Sequence, residues 1–328
     1  MQWQWLQKLF RKKNNHQGIV GLSFLPQGMS IAVSDYTENN ALKLIHCEFI
    51  ETKKADDRSA ILKQWFLAHK LGNYDCHLVL DIDDYQRVNI ETPAVPVNEI
   101  ALAIRWKINE LIYFPIDEAV IDYYPVPAFS EGQATLEVIA CPQSIVKPLV
   151  EQCIQAGLCL KVIDIQETAL RNLAVLLPNN PLGIAVLYLQ KSFGIILIQK
   201  NGVIYVARKI AIGYEKLNLD DQPISSDYYD VALEIDSQAA MVQDNLALEI
   251  QRSLDYVESY YDMSTITELA VIPWAVATQN LVDKLNNFYG ITAYLMELSA
   301  IMDCDLKLDY VTQTLCVPVI GTTLRDIP

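Results

Sequence analysis

The chain holds 328 residues, 52% of them hydrophobic and 20% charged, enough apolar material for the cores of two domains and too much for a disordered chain. A net charge of −15 argues against nucleic acid as a main partner, because phosphate backbones require a basic face. No run reaches about 18 uncharged apolar residues, so no membrane-spanning helix is encoded.

Residues 1–15 stand apart, with Lys8, Arg11, Lys12 and Lys13 and no acid. If helical, Trp5, Leu6, Leu9 and Phe10 share a stripe with Trp3 at its edge, the pattern of a segment lying in a membrane interface. A short helix packed on its own domain, or a disordered tail, fits the same residues. The bases follow the apolar residues and no long apolar core comes after them, which excludes a secretory signal.

Strands are predicted at 19–24, 30–34 and 42–50, separated by turn signals at Pro26-Gln27-Gly28 and Glu38-Asn39-Asn40. A helix at 58–71, stopped by Gly72, and a buried strand at 76–80 follow. Pro93 and Pro96 then open a different block. Asn98 is placed to cap a helix to Tyr113, with Ile100, Ile104, Ile108 and Leu111 on its buried face and Pro115 at its end. Strands at 119–126 and 135–141 come next, then a helix at 145–156 between Ser144 and Gly157. A strand at 158–163 and a helix at 166–177 complete the half. Residues 92–166 read as a small α+β module inserted in a first domain at 16–91, with 167–182 leading back.

From Gly183 the opening plan repeats. Three strands include an Asn201-Gly202 hairpin, where both residues tolerate positive φ. Residues 219–236 read as an exposed acidic connection. A long helix carries Leu246, Ile250, Leu254 and Val257, and a strand at 268–272, a helix at 279–288 and a strand at 292–296 follow. The duplication implies two α/β domains, the second at 183–328.

The chemistry-bearing residues are sparse. Seven cysteines, an odd number without a C-x-x-C, read as reduced core residues of a cytoplasmic protein, and the four histidines are not spaced with them as a zinc set. Asp81, Asp83 and Asp84 lack the later Gly of a calcium loop and read as a solvated turn. No nucleophile elbow or triad-like motif occurs.

The segment TPAVPVNEIALAIRWKINELIYFPIDEAVIDYYPVP, Thr92 to Pro127, and the helix LALEIQRSLDYVESYY, Leu246 to Tyr261, resemble the PilM-like proteins of type IV pilus assembly, above all the branch that serves MSHA-type pili. Arg105-Trp106-Lys107 with Pro115 is the most specific part. The resemblance implies an actin-like, duplicated ribonuclease H-like fold of two α/β domains, with 92–166 as the inserted subdomain. It also implies a cytoplasmic protein peripheral to the inner membrane. Its partner would be the cytoplasmic tail of a single-span, PilN-like inner-membrane pilus protein, bound between the first domain and the module. The pilus assembly motor ATPase would be a further partner.

Against the family pattern the nucleotide loops are altered. In the first hairpin Ser23 stands where the carboxylate belongs, Leu25 where the glycine belongs and Ser30 where the lysine belongs. In the second, Tyr188 replaces the carboxylate and Gln190 the glycine. In the adenosine loop Pro273 and Trp274 replace glycines. Charge-assisted hydrogen bonds contribute about 1.5–3 kcal/mol each, so losing two or three costs about 3–9 kcal/mol. The expectation is a scaffold with no cofactor, no metal and no catalytic residue. The alternative under the same resemblance is a nucleotide-gated assembly protein.

Overall fold

The computed structural model describes residues 18–37, 41–52, 54, 57–128, 132, 134–217, 229–261, 263–289 and 292–325. The membrane-contact candidates Trp3, Trp5, Leu6, Lys8, Leu9, Phe10, Arg11, Lys12 and Lys13 lie outside them, as does most of the acidic connection. Among the described residues no helix is long and apolar enough to cross a membrane. The chain divides into two compact units, Met1–Ala169 with Pro318–Pro328, and Leu170–Val317.

The first unit is built on strands β1 (Gly18–Leu25), β2 (Gly28–Tyr36) and β3 (Leu42–Glu51), an antiparallel meander with helix α1 (Arg58–His69) after it. Strand β4 (Asp75–Val79) pairs parallel with β1, and β8 (Cys159–Asp164) pairs parallel with β4, giving the order β3-β2-β1-β4-β8. Eight successive buried residues in β1 show a strand covered on both faces.

Between β4 and β8 lies the inserted module. Its strands β5 (Gln86–Glu91), β7 (Thr135–Pro142) and β6 (Ala119–Val126) form an antiparallel sheet of order β5-β7-β6, covered by helix α2 (Ile100–Ile108). Ile104 and Ile108 of α2 pack with Val138 and Ala140 of β7 in a core of their own. Helix α3 (Gln143–Gln155) precedes β8, and α4 (Gln166–Val175) follows it.

The second unit repeats the plan. Strands β9 (Ile184–Leu189), β10 (Gly194–Lys200) and β11 (Val203–Ile210) form the meander, and α5 (Tyr229–Tyr261) follows. Then come β12 (Glu268–Val271), α6 (Thr278–Tyr289), β13 (Thr292–Leu295), the short α7 (Leu298–Ile301) and α8 (Tyr310–Thr323), whose residues from Pro318 on belong to the first unit. The sheet order is β11-β10-β9-β12-β13, with β12 parallel to both β9 and β13. This is the topology of the first sheet, so the duplicated plan is present in the fold.

Several local expectations are corrected. Helix α1 ends at Lys70, which takes the left-handed conformation at φ 59°, rather than at Gly72. The N–H of Leu71 then reaches the carbonyl of Phe66 at 3.2 Å, closing a Schellman turn. Asn98 sits inside a short 3-10 turn and caps nothing. Helix α2 stops at Ile108, well before Pro115. Helix α3 begins at Gln143 with Pro142 in the cap position, so Ser144 is already inside it. The module's own sheet is built from β5, β7 and β6, while β8 hydrogen-bonds to β4 in the first sheet. Strand β5 and helix α8 were not expected at all.

The Asn201-Gly202 turn has φ of 50° and 74°, as a two-residue hairpin requires. The described cysteines are all free thiols, and burial pushes Cys141 up to about 12. Asp81, Asp83 and Asp84 form a tight turn, with the N–H of Asp84 on the carbonyl of Asp81 at 2.9 Å.

Candidate functional site

In the first unit β1 and β2 meet in a two-residue turn, Pro26-Gln27, with Leu25 paired to Gly28. The register sets Ser23 directly opposite Ser30. Both are buried, so they form a small polar cross-strand pair. The tip is held by Arg58, the first residue of α1. Its Nη2 donates to the carbonyls of Leu25 at 2.6 Å and Pro26 at 3.1 Å, and its Nε donates to Thr52 Oγ1 at 3.1 Å. The N–H of Thr52 reaches the carbonyl of Gln27 at 3.0 Å. The hairpin tip is therefore bonded to its own domain on three successive carbonyls.

This arrangement makes a test of the paired positions. Ser23→Asp buries an unpaired carboxylate and should destabilise the protein by about 3 kcal/mol. Adding Ser30→Lys should recover about 1–2 kcal/mol of that in a double-mutant cycle read by urea unfolding. Strict additivity of the two substitutions would show that the positions are not partners.

In the second unit the corresponding hairpin spans β9 and β10. Tyr188 is 1% exposed, and its hydroxyl donates to the carbonyl of Thr314 at 2.7 Å. Gln190 Nε2 donates to the Tyr188 oxygen at 3.1 Å. The N–H groups of Tyr214 and Glu215 reach the carbonyls of Gln190 at 2.9 Å and Lys191 at 3.2 Å. The phenol and the amide thus bond to each other, and the phenol bonds to backbone as well.

The loop after β12 shows where its donors go. Ile272 N–H bonds to the carbonyl of Leu187 at 3.0 Å. Pro273 has no N–H, and its carbonyl accepts from Thr314 Oγ1 at 2.9 Å. The N–H groups of Trp274 and Ala275 both bond to Thr278 Oγ1, at 3.1 and 3.2 Å, and that hydroxyl donates to the carbonyl of Ala275 at 2.7 Å. Every N–H of Ile272–Ala275 has a partner within the unit. Trp274 is 7% exposed and belongs to the unit's core, with its ring parallel to Tyr214 at 6.0 Å and 9°.

The seven loop positions singled out in the sequence fall into two sets: Ser23, Leu25 and Ser30 in the first unit, Tyr188, Gln190, Pro273 and Trp274 in the second. Sequence reasoning missed the groups that close them. Arg58, Thr278, Thr314 and Tyr214 are polar residues whose partners are set by the fold, not by a local motif. Thr278 alone carried a local signal, at the start of α6 and three residues after Ala275.

On the module the motif Arg105-Trp106-Lys107 divides its labour. Arg105 donates to the carbonyls of Ile116 at 3.0 Å and Ala119 at 3.1 Å, and Lys107 Nζ to that of Glu91 at 3.0 Å. These two cations fasten α2 to its surroundings. Trp106 between them is 77% exposed, with Val97 at 83%, Leu102 at 61% and Tyr113 at 93% nearby in the chain. Leu102 and Trp106 are four apart and share one face of α2.

No family profile matches the chain, and no curated protein matches it. Among solved structures, one described as the PilM-PilN type IV pilus biogenesis complex superposes with a TM-score of 0.71 at 18% identity, covering 96% of this chain and 100% of that one. The cytoplasmic domain of EpsL, an inner-membrane component of the type II secretion system of Vibrio cholerae, gives 0.47 at 10% identity over 90% and 92% of the two chains. A Bacteroides thetaiotaomicron protein with an actin-like ATPase fold gives 0.48 at 11% identity over 91% and 95%. The last two scores are too low to carry weight. With its two equivalent sheets and the module between β4 and β8, the chain has the actin-like fold of two α/β domains with an inserted small α+β subdomain.

Proposed function

We propose that this protein is a non-catalytic cytoplasmic scaffold for type IV pilus biogenesis, the counterpart of MshI in an MSHA-type system. It binds the cytoplasmic tail of a PilN-like, single-span inner-membrane protein and holds position instead of turning over nucleotide. One observation carries the reading: the fold follows a PilM–PilN structure over nearly the whole chain, while the loops that would hold phosphate bond to their own domains. Contact with the assembly motor ATPase belongs to the same proposal.

The tail is placed on the inserted module and the adjoining part of the first domain. Support comes from the exposure of Val97, Leu102, Trp106 and Tyr113, of which Leu102 and Trp106 share one face of α2. Aromatic anchors of this kind dominate interface energetics, at about 2 kcal/mol or more for the strongest. Trp106→Asp should therefore weaken capture of the cytoplasmic tail of a PilN-like membrane protein by about tenfold or more. Its melting temperature should stay unchanged, because the side chain is exposed. Undiminished capture would remove the module from the interface.

Peripheral contact with the inner membrane is proposed for residues 1–13, whose four bases would each contribute about 1 kcal/mol at an anionic surface. Deleting them should reduce co-sedimentation with anionic vesicles. Equal sedimentation of both forms would dismiss the contact.

A further inference from the structure

The exposed apolar face of α2 is bordered by acids. Glu99, Leu102, Trp106 and Glu110 follow one another at spacings of three and four, which puts them on one side of a helical path. That path runs past the end of α2, because Asn109 keeps helical angles and the N–H of Ile112 still reaches the carbonyl of Ile108 at 3.2 Å. Two further carboxylates, Asp117 and Glu118, stand in the turn Ile116–Glu118. Arg105 fastens that turn to α2 through the carbonyls of Ile116 and Ala119, one residue from Trp106.

All four acids are exposed, and none of them takes part in an ion pair among the described residues. The bases of this stretch, Arg105 and Lys107, are held at main-chain carbonyls. Four carboxylates against two tethered bases leave the surroundings of Leu102 and Trp106 negative. This charge selects the occupant. An anionic lipid surface is repelled, and so is a second copy of a chain whose net charge is −15. A segment with lysine or arginine on either side of apolar residues is attracted. Its apolar residues would cover Leu102 and Trp106, its bases would meet Glu99 and Glu110, and the exposed indole would take a cation on its face. Glu99 and Glu110 stand about 16 Å apart along the helical path, a distance that an extended segment spans in about five residues.

We propose that this face takes the basic juxtamembrane stretch of its membrane partner's cytoplasmic tail, with Glu99 and Glu110 as the residues that select it. Lysine and arginine gather on the cytoplasmic side of membrane-spanning segments, so such a stretch carries the required charge. The proposal rests on the reading that a single-span membrane protein is the partner, and adds which chemistry of its tail is recognised and by which residues.

The test uses two fluorescein-labelled synthetic peptides, titrated into the full chain and followed by anisotropy. One is the cytoplasmic tail of a PilN-like protein, and in the other its lysines and arginines are replaced by glutamate. The first peptide should lose about tenfold in affinity between about 50 and 500 mM salt. Glu99→Gln together with Glu110→Gln should weaken it about fivefold at the lower salt and flatten the salt response, with the melting temperature unchanged. Glu110→Lys should bind the glutamate peptide more tightly than the parent chain does. Binding that is sensitive to Trp106→Asp but insensitive to salt and to the acidic substitutions overturns the charge selection and leaves the pilus reading standing. Absence of tail binding to the parent chain overturns both. Sedimentation on phosphatidylglycerol vesicles that Trp106→Asp abolishes assigns the face to the membrane and likewise overturns the proposal.

Discussion

Replacing Arg87 with methionine should lower the unfolding free energy by about 3–5 kcal/mol, measured by urea denaturation. Arg87 lies on β5 and donates to Glu137 on β7 and to Glu167 at the start of α4, each at 2.9 Å, with side-chain exposures of 18%, 12% and 2%. Tyr85 donates its hydroxyl to the other oxygen of Glu167. Burial acts against the charge of Arg87, yet the two carboxylates and Tyr124 hold its pKa above the ordinary value. The methionine keeps much of the volume and leaves two buried carboxylates facing each other without a cation. Breaking a buried network from one side is the costly direction, whereas replacing several members together is not. Adding Glu167→Gln should therefore return part of the loss. A loss below about 1 kcal/mol would mean that the cluster is well solvated.

Gly21→Ala should cost about 3 kcal/mol, at the upper end for overpacking. A Cβ on Gly21 would sit 2.0 Å from the carbonyl oxygen of Val319 in α8, and backbone cannot yield as a flexible side chain can. The same helix carries Gly321, where a Cβ would come within 2.1 Å of the carbonyl of Ala169. Both faces of this part of α8 thus lie against backbone in the first unit. Its end is tied by His77 Nδ1 to the carbonyl of Thr322 at 2.9 Å, by Thr322 to Asp164 at 3.0 Å and by the Ser34–Thr323 hydroxyl pair at 2.8 Å. Displacing α8 strains all three. Thermal unfolding checks the effect, and a melting temperature within 1–2 °C of the parent would show that the helix moves aside freely.

How much of this was legible depended on whether the signal was local. The two meanders were readable because the turns carry their own chemistry, as Asn201-Gly202 does, and because buried strands form short apolar runs. Tyr188, Pro273 and Trp274 were singled out because their side-chain properties conflict with phosphate contact, and that they stand in for nucleotide-binding residues belongs to the proposal. Helix α8 was not readable. Its sequence, YVTQTLCVPVIGTT, is rich in β-branched residues and holds Pro318 and Gly321, and most of it is buried. A helix covered on all sides shows no polar face, so the 3.6-residue rhythm that betrays surface helices is missing. Missing α8 also hid Thr314, which ties Tyr188 and Pro273 together from 126 and 41 residues away. Lys70 illustrates the other limit. Glycine was the expected left-handed residue, but the chain turns two residues earlier, in a conformation that lysine rarely adopts.

On the proposed reading, the bonds within each loop explain how this fold would persist without a nucleotide. In the second unit the N–H groups of Ile272, Trp274 and Ala275 are held by the carbonyl of Leu187 and by Thr278, and the Trp274 ring is part of the core. In the first, Arg58 gathers the carbonyls of the hairpin tip. Each bond is an ordinary one of about 1 kcal/mol net. Together they replace what a bound ligand would contribute to holding these turns, so each unit holds its own loops in place.

Calorimetric titration of the full chain with ATP and magnesium tests this account most directly. It predicts no saturable heat at nucleotide concentrations up to about 1 mM, a free-energy threshold of roughly 4 kcal/mol, and the same melting temperature with and without nucleotide. Saturable, magnesium-dependent binding tighter than that would contradict it, because the loops would then have to release Thr278 and Arg58 to make room.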